Sequence, residues 1–275
     1  MHAGIYSAVA RGYDRDEGLR LMVREPSSST DAVKLLVAGR TDFAVLDIHD
    51  LGLAREKEAD LVGVFALVQR PLASVIAQPG VRTPRELTGR HVGVTGLPSD
   101  VAVLRSVVRG AGGDPDEVRT VTIGFTAVQA LLARRVDGAT AFWNAEGVAL
   151  RRRRPGYRVF RVDDYGAPAY PELVVTVTRE TLRQRRDLVD RLRRALQRGY
   201  ERANAAPAGA VGDLVEASRG LDRELTAAEL AAVGPAFGPK PGRLDPARLR
   251  AWAAWDVRFG ILERPLDVRR AFLLS

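Results

Sequence analysis

The sequence contains no cysteine. That removes disulfides, thiol nucleophiles and cysteine-based metal sites, and it leaves the redox compartment open. Histidine is scarce. His2, His49 and His91 follow no zinc-binding spacing such as His-Glu-x-x-His, so no metal site is expected. Lysine is nearly absent too, with only Lys34, Lys57 and Lys240 against abundant arginine. No run approaches the roughly 20 consecutive apolar residues of a membrane span. Residues 1–20 lack the basic start, apolar core and small-residue cleavage site of a signal peptide.

What is present describes an ordinary globular chain. Its 275 residues suit one large domain or two of usual size, and 46% hydrophobic residues can bury real cores. The formal net charge of +8 raises the question of nucleic acid. The arginines are spread along the chain, however, and the one dense run, Arg151 to Arg154, has no interleaved aromatics to stack bases. A solvated helix end accounts for it, and no nucleic-acid partner is expected.

One stretch stands out: Val136-Asp-Gly-Ala-Thr-Ala-Phe-Trp-Asn-Ala-Glu-Gly147. It reads as a short apolar strand running into a loop that displays an indole, an amide and a carboxylate together. A flat surface beside hydrogen-bonding groups suits a small planar polar ligand. A similar pattern, an apolar helix, an Asp and a strand leading to a ring, recurs from Leu36 to His49. Two such units suggest two similar lobes.

Taken in order, the chain predicts a turn and strand over 16–25 and strands near 43–48, 61–68, 72–77, 91–95, 118–123, 136–142, 157–162 and 173–178. Helices fall between them. Thr83-Pro-Arg-Glu86 is a helix start with a cap and a first-position proline. From about residue 179 the chain is helical, and Trp252 and Trp255 fall there as packing residues. Strands alternating with helices argue for an α/β fold with mostly parallel sheets covered on both faces. The C-terminal helices must cover the first sheet, which makes that lobe discontinuous. Lobe one is then 1–72 with 173–275, and lobe two is 73–172. Two crossings of the chain imply a hinge and a central ligand cleft.

Nine segments in sequence order carry a family resemblance. They are His2-Ala-Gly-Ile-Tyr6, Gly12-Tyr13-x-x-x-Glu17-Gly18-Leu19, residues 26–31, Asp42-Phe-Ala-Val45, Leu67-Val-Gln-Arg-Pro-Leu72, Gly93-Val-Thr-Gly-Leu-Pro98, Gly124-Phe125, Trp143-Asn-Ala-Glu146-Gly147, and Asp164-Tyr165-Gly-x-Pro168-x-Tyr170-x-Glu172. Over nearly its whole length the chain resembles the NMT1/THI5-like family of type II periplasmic-binding-protein folds. The particular likeness is to the ThiY-type solute-binding proteins of ABC importers for thiamine pyrimidine precursors. Relatives carry a strand ahead of the His-x-Gly-Ile-Tyr segment, so the resemblance implies that the first β-strand is missing here. Ser28 stands where relatives usually have Asp.

The resemblance implies a ligand site built from both lobes. Trp143 would stack on the ligand ring, the competing reading being an ordinary core tryptophan. Asn144 offers donor and acceptor, and a carboxylate at Glu146 or Glu172 would accept from an exocyclic amine. Tyr165 or Tyr170 would supply the opposing wall. Tyr6 and His49 would belong to the first-lobe wall, although His49 also fits a helix-start residue bonded to backbone. Gly96, Leu97 and Pro98 place backbone amides at a helix N-terminus, a site for a polar ligand group.

The function implied is binding without catalysis. The cargo would be a small heteroaromatic such as formylaminopyrimidine or hydroxymethylpyrimidine, delivered to a membrane permease and its ATPase, with no cofactor. A full-length form would then be extracytoplasmic. Riboflavin, an alkanesulfonate or another small metabolite is the alternative cargo. An enzymatic branch of the family makes the pyrimidine from pyridoxal phosphate. Its cofactor lysine falls where this chain has Val45, although His49 matches its sacrificial histidine, and its cysteine motif falls near 170–174, where this chain has none. Without that amine no Schiff base forms, which argues against a synthase. A cytosolic sensor is a further alternative.

Overall fold

A computed structural model describes residues 1–26, 29–218 and 220–274. Position 28, noted above for its Ser, lies outside them. The chain divides into two compact units. The first comprises Met1–Gln69, Tyr170–Ala253 and Pro265–Ser275, and the second Arg70–Ala169 and Ala254–Arg264. Among the described residues no helix is long and apolar enough to cross a membrane.

The N-terminal part of the first unit runs α1 (Ala3–Ala10), α2 (Tyr13–Asp16), α3 (Ser29–Val37), β1 (Ala44–Asp47), α4 (Ile48–Glu56) and β2 (Leu61–Ala66). The second unit then supplies β3 (Ala73–Ala77), β4 (His91–Val94), α5 (Pro98–Gly110), β5 (Arg119–Thr122), α6 (Ala127–Leu132), β6 (Gly138–Phe142), α7 (Glu146–Arg153) and β7 (Arg158–Arg161). The chain resumes the first unit with β8 (Leu173–Thr178), α8 (Arg179–Gln184), α9 (Arg186–Ala205), α10 (Pro207–Ala217) and α11 (Arg223–Phe237). It closes with α12 (Pro246–Arg258) and α13 (Val268–Ala271).

In the first unit the sheet order is β1-β8-β2, and β8 is antiparallel to both neighbours. The expectation of mostly parallel sheets is therefore wrong here. Residues 173–178 enter between β1 and β2 in the opposite direction, a long-range pairing that no local pattern encodes. Every residue of β2 is buried, as its continuous apolar run requires. Helix α1 packs on α9 through glycines. A Cβ on Gly199 would lie 2.0 Å from the Gly4 carbonyl oxygen, and one on Gly4 would strike the Tyr200 ring. From α10, Asp213 accepts from the Ser7 hydroxyl at 2.9 Å and pairs with Arg11 at 2.7 Å.

Two further expectations need correction in this unit. The strand expected within 16–25 does not form, and Met22 and Val23 are exposed instead of paired into a sheet. The chain's first strand is β1, paired with β8 along its whole length. It gives no support to a missing first strand.

The second unit has a five-stranded mixed sheet in the order β5-β4-β6-β3-β7. Strand β4 is parallel to β5 and β6, whereas β3 runs antiparallel to β6 and β7. One side of its core is Ile76, Leu131, Ala139, Leu150 and Tyr157. Gln78, just after β3, donates to the carbonyls of Leu131 and Val136. Residues 254–264 belong to this unit, not to the first lobe as the sequence suggested. The Trp255 indole donates to Ser106 at 3.3 Å, and Arg109 lies 6.0 Å from the Phe259 ring centroid.

Candidate functional site

Six of the residues expected at the site fall into two clusters, His49, Tyr170 and Glu172 in the first unit and Trp143, Asn144 and Glu146 in the second. The first lies where β1 gives way to α4 and β8 begins. Asp47 is opposite Leu173 in register, and the Ile48 amide donates to the Glu172 carbonyl at 2.9 Å. Asp47 caps α4, its Oδ1 accepting from the His49 amide at 2.8 Å. This is the ordinary use of an aspartate before a helix. It holds His49 in the first turn, the helix-start position that sequence reading kept open.

The His49 imidazole is fixed on both sides. The Trp252 Nε1–H points at Nδ1 across 3.2 Å, and Nε2 faces the Tyr170 hydroxyl at 3.3 Å. Because an indole can only donate, Nδ1 must be the acceptor and Nε2 carries the proton. The Tyr170 ring meets the imidazole edge-on with centroids 5.3 Å apart. Tyr170, His49 and Glu172 are all buried, and Asp47 is the partly exposed member. Burial raises the Asp47 pKa well above the carboxylate range, and the neighbouring Glu172 charge adds to the rise. Burial also raises that of Asp50, whose Oδ2 is buried without a hydrogen-bond partner among the described residues.

Ligand atoms of Asp47, His49 and Glu172 lie within 4.8 Å of one another, a spacing that could in principle hold a cation. The donor set does not fit one at Nε2. A metal-bound histidine hands its second ring proton to an acceptor. Here the second nitrogen faces the indole N–H, itself a donor. A neutral, proton-bearing cluster fits the observed hydrogen bonds better. Asp47 is the residue that sequence reasoning missed, because a strand-end aspartate before a helix reads as a cap and nothing more.

The second cluster sits at the end of β6. Trp143 is the first residue beyond that strand, with its amide bonded to the Leu72 carbonyl and its Nε1 donating to the Pro71 carbonyl at 2.9 Å. The indole is 2% exposed, and the Arg161 guanidinium lies 4.0 Å from its ring centroid. An open stacking platform at Trp143 is thus not what the structure presents, since a cation covers the ring. Asn144 beside it is 1% exposed, and its Oδ1 has no hydrogen-bond partner among the described residues. Glu146 reaches back to accept from the Phe142 amide at 3.1 Å, closing the turn into α7. Burial raises its pKa.

The remaining expected residues do not join either cluster. Tyr6 lies partly buried on α1, with no side-chain hydrogen bond or ring contact among the described residues. Tyr165 packs edge-on against Phe160, with centroids 6.0 Å apart, and its carbonyl abuts Gly110. Both contacts are packing within the second unit. Gly96 has φ 101°, the left-handed freedom expected of it, and Leu97 and Pro98 lead into α5. The Leu97 amide is already taken by the Thr95 hydroxyl at 3.3 Å, and Asp100 accepts from the Thr95 amide at 2.7 Å. The helix start therefore serves its own turn.

A cavity of about 510 Å³ opens at the far end of β8, lined by Val37, Asp60, Thr178, Arg179 and Arg183 among others. None of the expected residues lines it, and Asp60 there is occupied by Arg55 and Arg179.

Comparison with known proteins agrees with this architecture. The family profile described as NMT1/THI5 like matches residues 1–210. The formylaminopyrimidine-binding protein of Halalkalibacterium halodurans is 30% identical over 204 residues, covering 73% of this chain but only 62% of the relative. The 4-amino-5-hydroxymethyl-2-methylpyrimidine phosphate synthase of Legionella pneumophila is 26% identical over 234 residues, 82% of this chain and 72% of the relative. Among solved structures, the alkanesulfonate-binding protein SsuA from Xanthomonas axonopodis pv. citri superposes with a TM-score of 0.79 at 15% identity. That match covers 100% of this chain and 95% of the other, and it establishes a two-lobed periplasmic-binding-protein fold.

Proposed function

The chain belongs to the NMT1/THI5-like family, and we propose that it is the extracytoplasmic solute-binding component of an ABC importer whose cargo is a small aminopyrimidine. It binds its cargo and does not transform it. The observation that carries this reading is the pairing of Asp47 with Glu172 beside a proton-bearing His49 and the Tyr170 ring. Two carboxylates lie together in this corner, and the Glu172 charge adds to the rise in the Asp47 pKa that burial causes. An aminopyrimidine supplies an exocyclic amine that donates to a carboxylate and a ring nitrogen that can share a proton with one. Asp47, the partly exposed member, is where the cargo approaches.

The relative of 30% identity supports this cargo, since its name is that of a formylaminopyrimidine binder. The synthase relative does not draw the reading toward catalysis. Position 45, where the resemblance implies the Schiff-base lysine, is Val45, paired across the sheet with Val175, and the sequence has no cysteine. A permease and its ATPase would receive the loaded protein.

A second reading makes the cargo an alkanesulfonate. The similar sulfonate-binding structure supports it only at the level of fold, at 15% identity. Within this chain its support is Arg161, which has a guanidinium to offer. Thermal shifts with a panel of hydroxymethylpyrimidine, formylaminopyrimidine, riboflavin and butanesulfonate would decide. Saturable stabilisation by a pyrimidine is expected. A response to butanesulfonate alone would replace the aminopyrimidine reading, and silence across the panel would remove both.

A further inference from the structure

Resting on the reading of this protein as a solute carrier, we propose that Arg161, seated on the Trp143 indole with Arg70 alongside, is a binding site in the second unit for a small oxyanion. The sheet assembles it. Arg161 ends β7 opposite Ser74 in β3, and Phe142, just before Trp143, lies opposite Ala73. All three strands therefore deliver their side chains to one end of the sheet, and Arg70 lies three residues before β3. Strand ends of an open α/β sheet are where loops are free to take a ligand.

The two arginines differ in what they have left to give. Arg70 is committed: its Nε and Nη2 both donate to Asp163 Oδ2, at 3.0 and 2.6 Å. It lies 6.0 Å from the Trp143 centroid. Arg161 has the ring face at 4.0 Å, yet among the described residues it makes no ion pair or hydrogen bond. A half-buried guanidinium with its fork of donors unspent is costly unless an anion arrives. The groups that face it are Arg70 and Arg151 on one side of the balance and Asp163 and Asp164 on the other. Those four cancel, so Arg161 is the surplus positive charge. Burial, followed by Arg70, lowers its pKa. The cation–π seat orients the guanidinium plane and leaves its edge for a planar or tetrahedral oxyanion.

The shared chemistry is that of a carboxylate, a sulfonate or a phosphate ester, and the test separates them. Methanesulfonate, acetate and inorganic phosphate are titrated into the full chain at constant ionic strength with chloride as the balancing anion. Tryptophan emission and melting temperature are followed for the wild type, Arg161→Gln, Arg161→Lys and Arg151→Gln. A saturable response to at least one anion is expected. It should be weakened about tenfold or more by Arg161→Gln, weakened also by Arg161→Lys, which keeps the charge but loses the fork, and unchanged by Arg151→Gln. The strongest responder names the group. Absence of a saturable response, or equal responses in the wild type and Arg161→Lys, would overturn the proposal even if Arg161→Gln proved too unstable to read. Pyrimidine binding that persists alongside that negative result would leave the carrier reading standing, whereas silence toward pyrimidines with a positive anion response would overturn only the pyrimidine cargo.

Discussion

Replacing Asp47 with Asn separates a binding corner from a merely structural one. The substitution keeps an oxygen for the His49 amide, so the cap on α4 survives. It removes one of two carboxylates whose oxygens lie within 4.8 Å. At that distance, with an effective dielectric constant of about 20, two full charges would repel by about 3.5 kcal/mol. The protein avoids most of this by holding a proton, which is what the raised pKa of Asp47 means. Each unit of elevation corresponds to about 1.4 kcal/mol between the two protonation states. Folding raises the pKa, so the folded chain binds this proton more tightly than the unfolded one. The contribution is most favourable at and below the ordinary carboxylate range and is lost as pH rises toward the folded value. Partial exposure of Asp47 screens the effect, so Asp47→Asn should gain about 1–2 kcal/mol at pH 8. At pH 4 the gain should vanish. Urea denaturation of both proteins at the two pH values measures it. A variant that is less stable than the wild type at pH 8, or whose difference does not depend on pH, would refute the reasoning.

Other consequences follow from particular contacts. Gly199→Ala places a methyl 2.0 Å from the Gly4 carbonyl oxygen, where backbone must move. It should cost about 3 kcal/mol or more of stability, the upper end of overpacking, read as a lowered urea midpoint. Trp252→Phe retains most of the ring volume but leaves the buried Nδ1 of His49 without its donor. A loss of about 1–3 kcal/mol is expected, together with a changed His49 tautomer visible in nitrogen NMR. Glu146→Gln removes a buried carboxylate whose pKa burial raises. By the same sign it should flatten the decline of stability with rising pH above the carboxylate range, and a slope equal to that of the wild type would contradict this.

Much of the fold was legible because its strands are short and bounded by turn residues. The segments expected at 61–68, 91–95, 136–142 and 173–178 correspond to β2, β4, β6 and β8 within two residues. Direction was not legible. Nothing local in Leu173–Thr178 says that it pairs antiparallel with both β1 and β2, because that choice is made by residues more than 100 positions away. Met22 and Val23 show the converse failure, a strand-like pattern without a partner to make it a strand. At the site, the Trp-Asn-x-Glu pattern marked the right loop but not its state. Whether an indole faces a ligand or a guanidinium depends on Arg161, from a strand on the far side of β3. His49, Tyr170 and Glu172 were singled out individually. Their convergence, and the part played by Asp47, required the antiparallel register of β1 and β8.

The account rests most heavily on the carboxylate corner of the first unit taking the cargo. Calorimetric titration of formylaminopyrimidine into the wild type and Glu172→Gln tests it directly. Saturable one-site binding is expected in the wild type, weakened about 10- to 100-fold when the charged acceptor becomes an amide. Equal affinity in both proteins, or no heat of binding in either, would contradict it.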